Sequence, residues 1–119
     1  MIDNDLQKFI GSDSLTVLEA MQRIDKNASG ILIIVDDNDI LLGCLTDGDV
    51  RRYLLAGGKL GDKVTSAINT NPKFAKSVEE ATRLFHKRHY IAIPIVDEQK
   101  RVLSIYLGSG EIELPQISL

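Results

Sequence analysis

Apolar positions along this chain follow two spacings, and the sequence of spacings runs through twice. From residue 17 to 28 the apolar residues Val17, Ala20, Met21, Ile24 and Ala28 recur every three or four positions, which predicts a helix with one buried face. Val78, Ala81, Leu84 and Phe85 predict a second such helix. Each is followed by a short unbroken apolar run, at 31–35 and 91–96, of the length of a buried strand. The polar turns Asp36-Asp37-Asn38-Asp39 and Asp97-Glu98-Gln99-Lys100 come next, and return strands are predicted at 40–45 and 102–106. Turns this short join antiparallel hairpins.

The two halves are copies. Thr16-Val17-Leu18-Glu19-Ala20 matches Ser77-Val78-Glu79-Glu80-Ala81 at a shift of 61 (77 − 16). The same shift carries Ile34-Val35-Asp36 onto Ile95-Val96-Asp97, and Leu42 onto Leu103. Thr16 and Ser77 are hydroxyl N-caps with Glu19 and Glu80 three residues on, a capping box in each unit. The first unit adds a helix at 50–56, stopped by Gly57-Gly58. Its counterpart runs into Gly108-Ser109-Gly110 and then Pro115, so the last helix of the second unit is expected to be short or missing. Residues 59–75 link the units and are expected to supply the leading strand of the second. The expected division is 1–60 and 61–119, the two forming one compact module.

Composition narrows the function classes. With 44% hydrophobic and 26% charged residues in 119, the chain can bury one real core without staples. The single cysteine, Cys44, rules out an internal disulfide. No apolar run approaches the roughly 20 residues that span a bilayer, and the acidic start Met1-Ile2-Asp3-Asn4-Asp5 does not read as a targeting peptide. A cytoplasmic protein without a membrane partner is expected. A net charge of −3 argues against a nucleic-acid partner, which would call for a basic face.

Few residues suggest chemistry. Asp36, Asp37 and Asp39 lack the glycine and distal glutamate of a calcium loop and read as turn residues. His86 and His89 stand three apart without further ligands, so no metal is expected. Gly57-Gly58-Lys59 lacks the upstream glycine and following hydroxyl of a phosphate loop and reads as a helix stop. Cys44 sits inside a strand pattern and reads as a small core residue. No nucleophile, base and orienting group assemble, so an enzyme is not expected. Thr46-Asp47-Gly48-Asp49, between a strand and a helix, supports two readings. As structure, Thr46 and Asp49 fit a capping box. As function, the helix start suits a phosphate, a threonine hydroxyl can donate to it, and a carboxylate three residues on can accept from ribose hydroxyls. Spacing alone leaves both open.

The order Thr16-Val17-x-Glu19-Ala20, then 31–36, then Leu42-Gly43-Cys44-Leu45-Thr46-Asp47-Gly48-Asp49-Val50-Arg51-Arg52 resembles a CBS repeat, named after cystathionine β-synthase. Ile93-Pro94-Ile95-Val96-Asp97 resembles a second. Together they cover about residues 6–113. The resemblance implies an α+β fold: a tandem CBS pair of β-α-β-β-α units, with small three-stranded sheets packed about a pseudo-twofold axis. It implies a regulatory ligand, an adenine nucleotide (AMP, ADP or ATP) or S-adenosylmethionine, and no obligatory cofactor. Gly43, Thr46 and Asp49 match the family motif Gly-x-x-Thr-x-x-Asp, with the hydroxyl serving phosphate and the aspartate ribose. By similarity Gly30, Ile31, Tyr90 and Ile91 hold the adenine, and Thr65 with Ile68 to Thr70 closes the pocket. Arg51 or Arg52 is the candidate for a phosphate contact. In the second unit Leu107 stands opposite Thr46 and Gly110 opposite Asp49, so one ligand per chain is expected.

The run Thr-Asp-Gly-Asp-Val-Arg-Arg is most similar to CBS pairs attached to sugar-phosphate nucleotidyltransferases, with those of sugar-phosphate isomerases also similar. The expected role is the N-terminal regulatory part of such a nucleotidyltransferase, with a homodimer and an attached catalytic domain as partners. Residues 113–119 bring no closing element, as expected of a segment of a longer chain. The alternative is a structural dimerisation module with a vestigial cleft.

Overall fold

The computed structural model describes residues 4–87, 92–107 and 112–113. The elements run α1 (Asn4–Gln7), β1 (Ile10–Ser12), α2 (Val17–Asn27), β2 (Ile31–Val35), β3 (Leu41–Thr46) and α3 (Asp47–Leu55) in the first unit. A 3₁₀ turn (Val64–Ser66) lies in the linker, and α4 (Val78–Lys87), β4 (Ala92–Val96), β5 (Val102–Leu107) and β6 (Ile112–Glu113) form the second. Two three-stranded sheets result, ordered β1-β2-β3 and β4-β5-β6. β1 is parallel to β2, and both hairpins are antiparallel.

The sheets face one another across a shared core. Ile31, Ile33, Val35 and Leu41 of the first meet Ala92, Val96, Val102 and Ile105 of the second, with Leu6 and Phe9 filling in from the start of the chain. Leu32 and Ile34 point the other way, onto Val17, Ala20 and Ile24 of α2. β2 is therefore buried on both faces, which is why it reads as an unbroken apolar run rather than an alternation. Ile93 and Ile95 do the same in β4, packing with Ala75, Ala81 and Tyr106.

The repeat becomes a pseudo-twofold axis between the two hairpin turns. Ile40 bridges Arg101, its own counterpart 61 residues on. The Leu41 N–H donates to the Lys100 carbonyl and the Val102 N–H to the Asp39 carbonyl, both at 2.9 Å. Each bond is the image of the other under the same shift. Asp39 (φ 64°) and Lys100 (φ 67°) share the left-handed backbone this requires. Asp36 Oδ1 accepts from Asn38 and Ile40, and Asp97 Oδ1 accepts from Gln99 and Arg101, so these carboxylates serve the turns themselves.

Three details depart from the sequence reading. Ala28 is not on the buried face of α2: it is the helix C-cap at φ 57° and exposed. A left-handed alanine carries strain that glycine lacks, so Ala28→Gly is expected to stabilise the protein by about 0.5–1 kcal/mol in urea denaturation. At α4 the box is rearranged: Ser77 Oγ accepts from the Glu80 N–H, but Glu80 Oε1 accepts from Lys76, one residue before the cap. The linker supplies one bridge, Ala75 with Ile95, rather than a leading strand. Pro94 explains this. In the first unit the Ile33 N–H donates to the Phe9 carbonyl at 2.7 Å. Pro94 occupies the equivalent position and has no N–H to give.

The second unit also ends differently. In the first, the 22 residues 47–68 intervene between β3 and the linker residue Asn69, which bridges Cys44. In the second, four residues separate β5 from β6, which pairs directly with Ile105 and Tyr106.

Candidate functional site

β3 passes into α3 with no intervening loop, and Thr46 is both the last strand residue and the helix N-cap. Its Oγ1 accepts from the Asp49 N–H at 3.1 Å, and Asp49 Oδ2 accepts from the Thr46 N–H at 3.0 Å. The capping box is complete, so the structural reading of this segment holds. It leaves chemistry over. The Thr46 hydroxyl proton is still available to donate, and an ionised carboxylate has about four acceptor positions, of which the box takes one. Asp49 Oδ1 accepts from Arg52 Nη2 at 2.8 Å. A hydroxyl, a carboxylate and a guanidinium thus meet at the electropositive end of a nine-residue helix.

The neighbouring strand brings in two more of the expected residues. Ile31 is the β-ladder partner of Thr46, and the Gly30 carbonyl accepts from the Asp47 N–H at 3.3 Å. Gly30 has φ 82°, a conformation that favours glycine. The linker closes the other side. Asn69 exchanges two backbone hydrogen bonds with Cys44, at 2.8 and 3.1 Å, clasping the edge of β3. A β-carbon on Gly43 would stand 2.4 Å from the Asn69 carbonyl oxygen and 3.0 Å from Ile68 Cδ1. Glycine at 43 is what lets the linker approach this closely.

Cys44 belongs to this region rather than to the sealed core. It precedes Thr46 by two in β3, so both side chains share a sheet face. It is half-buried and packs against the core between the sheets. Burial pushes its thiol up to about 11, and the Asp49 carboxylate adds to the rise. The strand alternation held this signal, although Cys44 reads from sequence as a core residue. Because the thiolate is the reactive form, alkylation at pH 8 is expected to be about tenfold slower than for a free cysteine, or slower still. Asp49→Asn is expected to speed it.

Residues 12–56 match the family model described as CBS domain. That segment is a CBS domain. The matched CBS segment contains α2, β2, β3 and α3, hence the whole Thr46–Asp49 box. Over 90 residues the chain is 31% identical to the arabinose 5-phosphate isomerase GutQ of Salmonella typhi, a match covering 73% of this chain and 28% of the isomerase. It thus spans under a third of that relative's length. Among solved structures, CBSX2 in complex with AMP superposes with a TM-score of 0.71 at 21% identity, covering 87% of this chain and 84% of that one. The CBS domain pair of protein MJ0100, in complex with 5′-methylthioadenosine and S-adenosyl-L-methionine, superposes with a TM-score of 0.69 at 22% identity over 92% and 94% of the two chains. The fold is that of a CBS-domain pair, of the α+β class that the resemblance implies.

Of the expected CBS ligand residues, Gly30, Ile31, Thr46, Asp49 and Arg52 gather around the start of α3, and Ile68 lies against Gly43 in β3. Thr65, in the 3₁₀ turn, and Thr70 are on the same linker and exposed. Tyr90 and Ile91, like Gly110 and His89, lie outside the described residues. Leu107, the counterpart of Thr46, ends β5 with an apolar side chain. Among the described residues no three His, Cys, Asp or Glu side chains come together to hold a metal ion. No described helix is long and apolar enough to cross a membrane.

Two open surface hollows are found among the described residues, the first of them bordering the start of α3 at Gly30 and Asp47. One, of about 400 Å³, is lined by Met21, Ile24, Asp25, Ala28, Gly30 and Asp47. The other, of about 590 Å³, sits over the pseudo-twofold seam among Asn38, Asp39, Ile40, Gln99 and Arg101. Neither includes Thr46 or Asp49.

Proposed function

We propose that this chain is a regulatory module that binds one adenine nucleotide (AMP, ADP or ATP) at the start of α3 and reports it to a sugar-phosphate enzyme. The observation that carries the reading is the Thr46–Asp49 box, where the groups that cap the helix retain a donor for phosphate and acceptors for ribose. The adenosine compounds named in the CBSX2 and MJ0100 complexes support the ligand class. The isomerase match favours a sugar-phosphate isomerase as the attached catalytic domain over the nucleotidyltransferase expected from the motif. In this reading the units meet near residue 60, the protein is cytoplasmic, and Thr65, Thr70, Tyr90 and Ile91 complete the adenine pocket.

A ligand regulates only through different affinities for two states of the whole protein, so the enzyme's response depends on parts beyond this segment. Homodimerisation belongs to the same proposal. Leu55 is 80% exposed at the end of α3, and Leu18, whose N–H donates to the Leu60 carbonyl, is exposed beside Leu60. Those leucines also favour the second reading, a dimerising module with a vestigial cleft.

Calorimetry with AMP, ADP, ATP, S-adenosylmethionine and GTP decides between them. One adenine compound per chain is the expected result. Absence of binding leaves the dimerising module, and GTP binding more tightly than every adenine compound overturns the ligand class.

A further inference from the structure

We propose that Arg52 sets the preference of this cleft for phosphorylated ligands over nucleosides, resting on Asp49 when no phosphate is present. The assignment depends on the nucleotide-binding reading above.

The Arg52 side chain leans toward the helix start, as helical side chains do, and meets the residue three positions before it. Arg52 is 69% exposed, yet its Nη2 reaches in to a carboxylate that is only 17% exposed. To do so it folds back toward the helix start. Its Nη1, Nη2 and Cζ lie 3.4, 3.6 and 3.8 Å from where a Gly48 β-carbon would stand. A cation over the first turn of a helix opposes the helix dipole. Asp47 and Asp49, both in that first turn, supply the compensating charge.

This arrangement is suited to exchange. An exposed ion pair between residues three apart on a helix is weak and salt-sensitive, so giving it up costs little. The guanidinium has five N–H donors, and a fork of them can meet a phosphate side-on. Without Arg52, an incoming phosphate would meet the Asp47 and Asp49 carboxylates uncompensated. With it, the phosphate gains a cation already held on Asp49 over the first turn of the helix. As the guanidinium moves onto the phosphate it frees Asp49 Oδ1 for the ribose. A nucleoside has nothing to draw the guanidinium away and must share the carboxylate with it. The same side chain therefore helps nucleotides and mildly hinders nucleosides.

The test compares adenosine, AMP and ATP by calorimetry on wild type, Arg52→Gln and Arg52→Lys, at low and moderate potassium chloride. For Arg52→Gln, a loss of about tenfold or more is expected for AMP and ATP, the size of one charge-assisted hydrogen bond. Adenosine should stay within about twofold or bind slightly tighter, since the lost pair is a surface one. Arg52→Lys should recover part of the nucleotide affinity but not all, because an ammonium lacks the planar fork. The salt dependence of ATP binding should be shallower in Arg52→Gln than in wild type. Equal losses for adenosine and ATP would make Arg52 a mere support for Asp49 and overturn the assignment, as would unchanged ATP affinity. Failure of every adenine compound to bind wild type would overturn the nucleotide reading itself, an outcome visible in the wild-type arm alone.

Discussion

Asp49→Ala is expected to remove nucleotide-induced stabilisation while leaving a folded protein. The carboxylate has two duties in the structure and a third in the proposed function, and they differ in size. As a helix cap it accepts from the Thr46 N–H, and losing that bond costs about 0.5–1 kcal/mol. As the partner of the exposed Arg52 it contributes almost nothing measurable to stability. As the proposed acceptor for ribose hydroxyls it would have no substitute, because hydroxyls moved out of water need replacement partners. Hydrogen bonds to a charged group are worth about 1.5–3 kcal/mol each, so losing two weakens binding by about two to four powers of ten. Thermal shift with and without nucleotide separates the duties. The free protein should melt a few degrees lower, and the increment on adding nucleotide should vanish. Asp49→Asn retains an acceptor for the cap without the charge, so it should keep most of the stability and little of the binding. Cys44 gives an independent readout, since removing the charge that helps hold its thiol high should speed alkylation. A nucleotide increment unchanged in Asp49→Ala would defeat the placement of the ligand at the start of α3.

Gly43→Ala should have the largest effect on stability. The added carbon would stand 2.4 Å from the Asn69 carbonyl oxygen, a backbone atom that cannot rotate away. The linker must lift, and the two bonds it exchanges with Cys44 go with it. Overpacking and the lost backbone bonds together predict a cost of about 2–3 kcal/mol. For a domain of this size that is a fall in melting temperature of about 10 °C. Hydrogen exchange should quicken at Cys44 and Asn69 ahead of the rest of β3, because the clasp opens before the sheet does. Nucleotide affinity should fall as well, since Ile68 and its neighbours form one wall of the proposed site. A melting temperature within about 2 °C of wild type would mean that the linker can shift without loss. The second unit carries Ser104 at the equivalent position, where β6 rather than a linker follows along β5. The requirement for glycine is thus local to the first unit.

Much of this was legible before any coordinates. Helical spacing, hydroxyl caps and unbroken apolar runs are local patterns, and α2, α4 and both hairpins follow from them within a residue or two. The 61-residue repeat marked two like units, the family resemblance implied that they pack about a pseudo-twofold axis, and the bridge between Ile40 and Arg101 lies on that axis. The capping box at 46–49 was legible as well, but only as one of two readings of the same residues. α3 begins at Asp47, earlier than its apolar positions indicate, because the cap rather than the apolar face starts the helix.

Tertiary structure decided the rest, and in each case the cause is a contact between segments far apart in sequence. Pro94 is ordinary in a buried strand until a neighbouring chain needs its missing N–H. Gly43 is one of nine glycines until Asn69 is laid against it. Cys44 looks like a core residue until α3 sets Asp49 beside it. The pairing of Arg52 with Asp49 is allowed by helix periodicity but not required by it, because an exposed arginine has many rotamers of similar energy and only the completed helix start supplies the carboxylate that selects one. The sequence by itself determined which elements form and how they repeat, since backbone hydrogen bonding and the burial of one face are settled within a few residues. Which segments meet around Thr46 and Asp49 was decided by the packing of β3, α3 and the linker, because proximity across 20 or more residues of chain has no local signature.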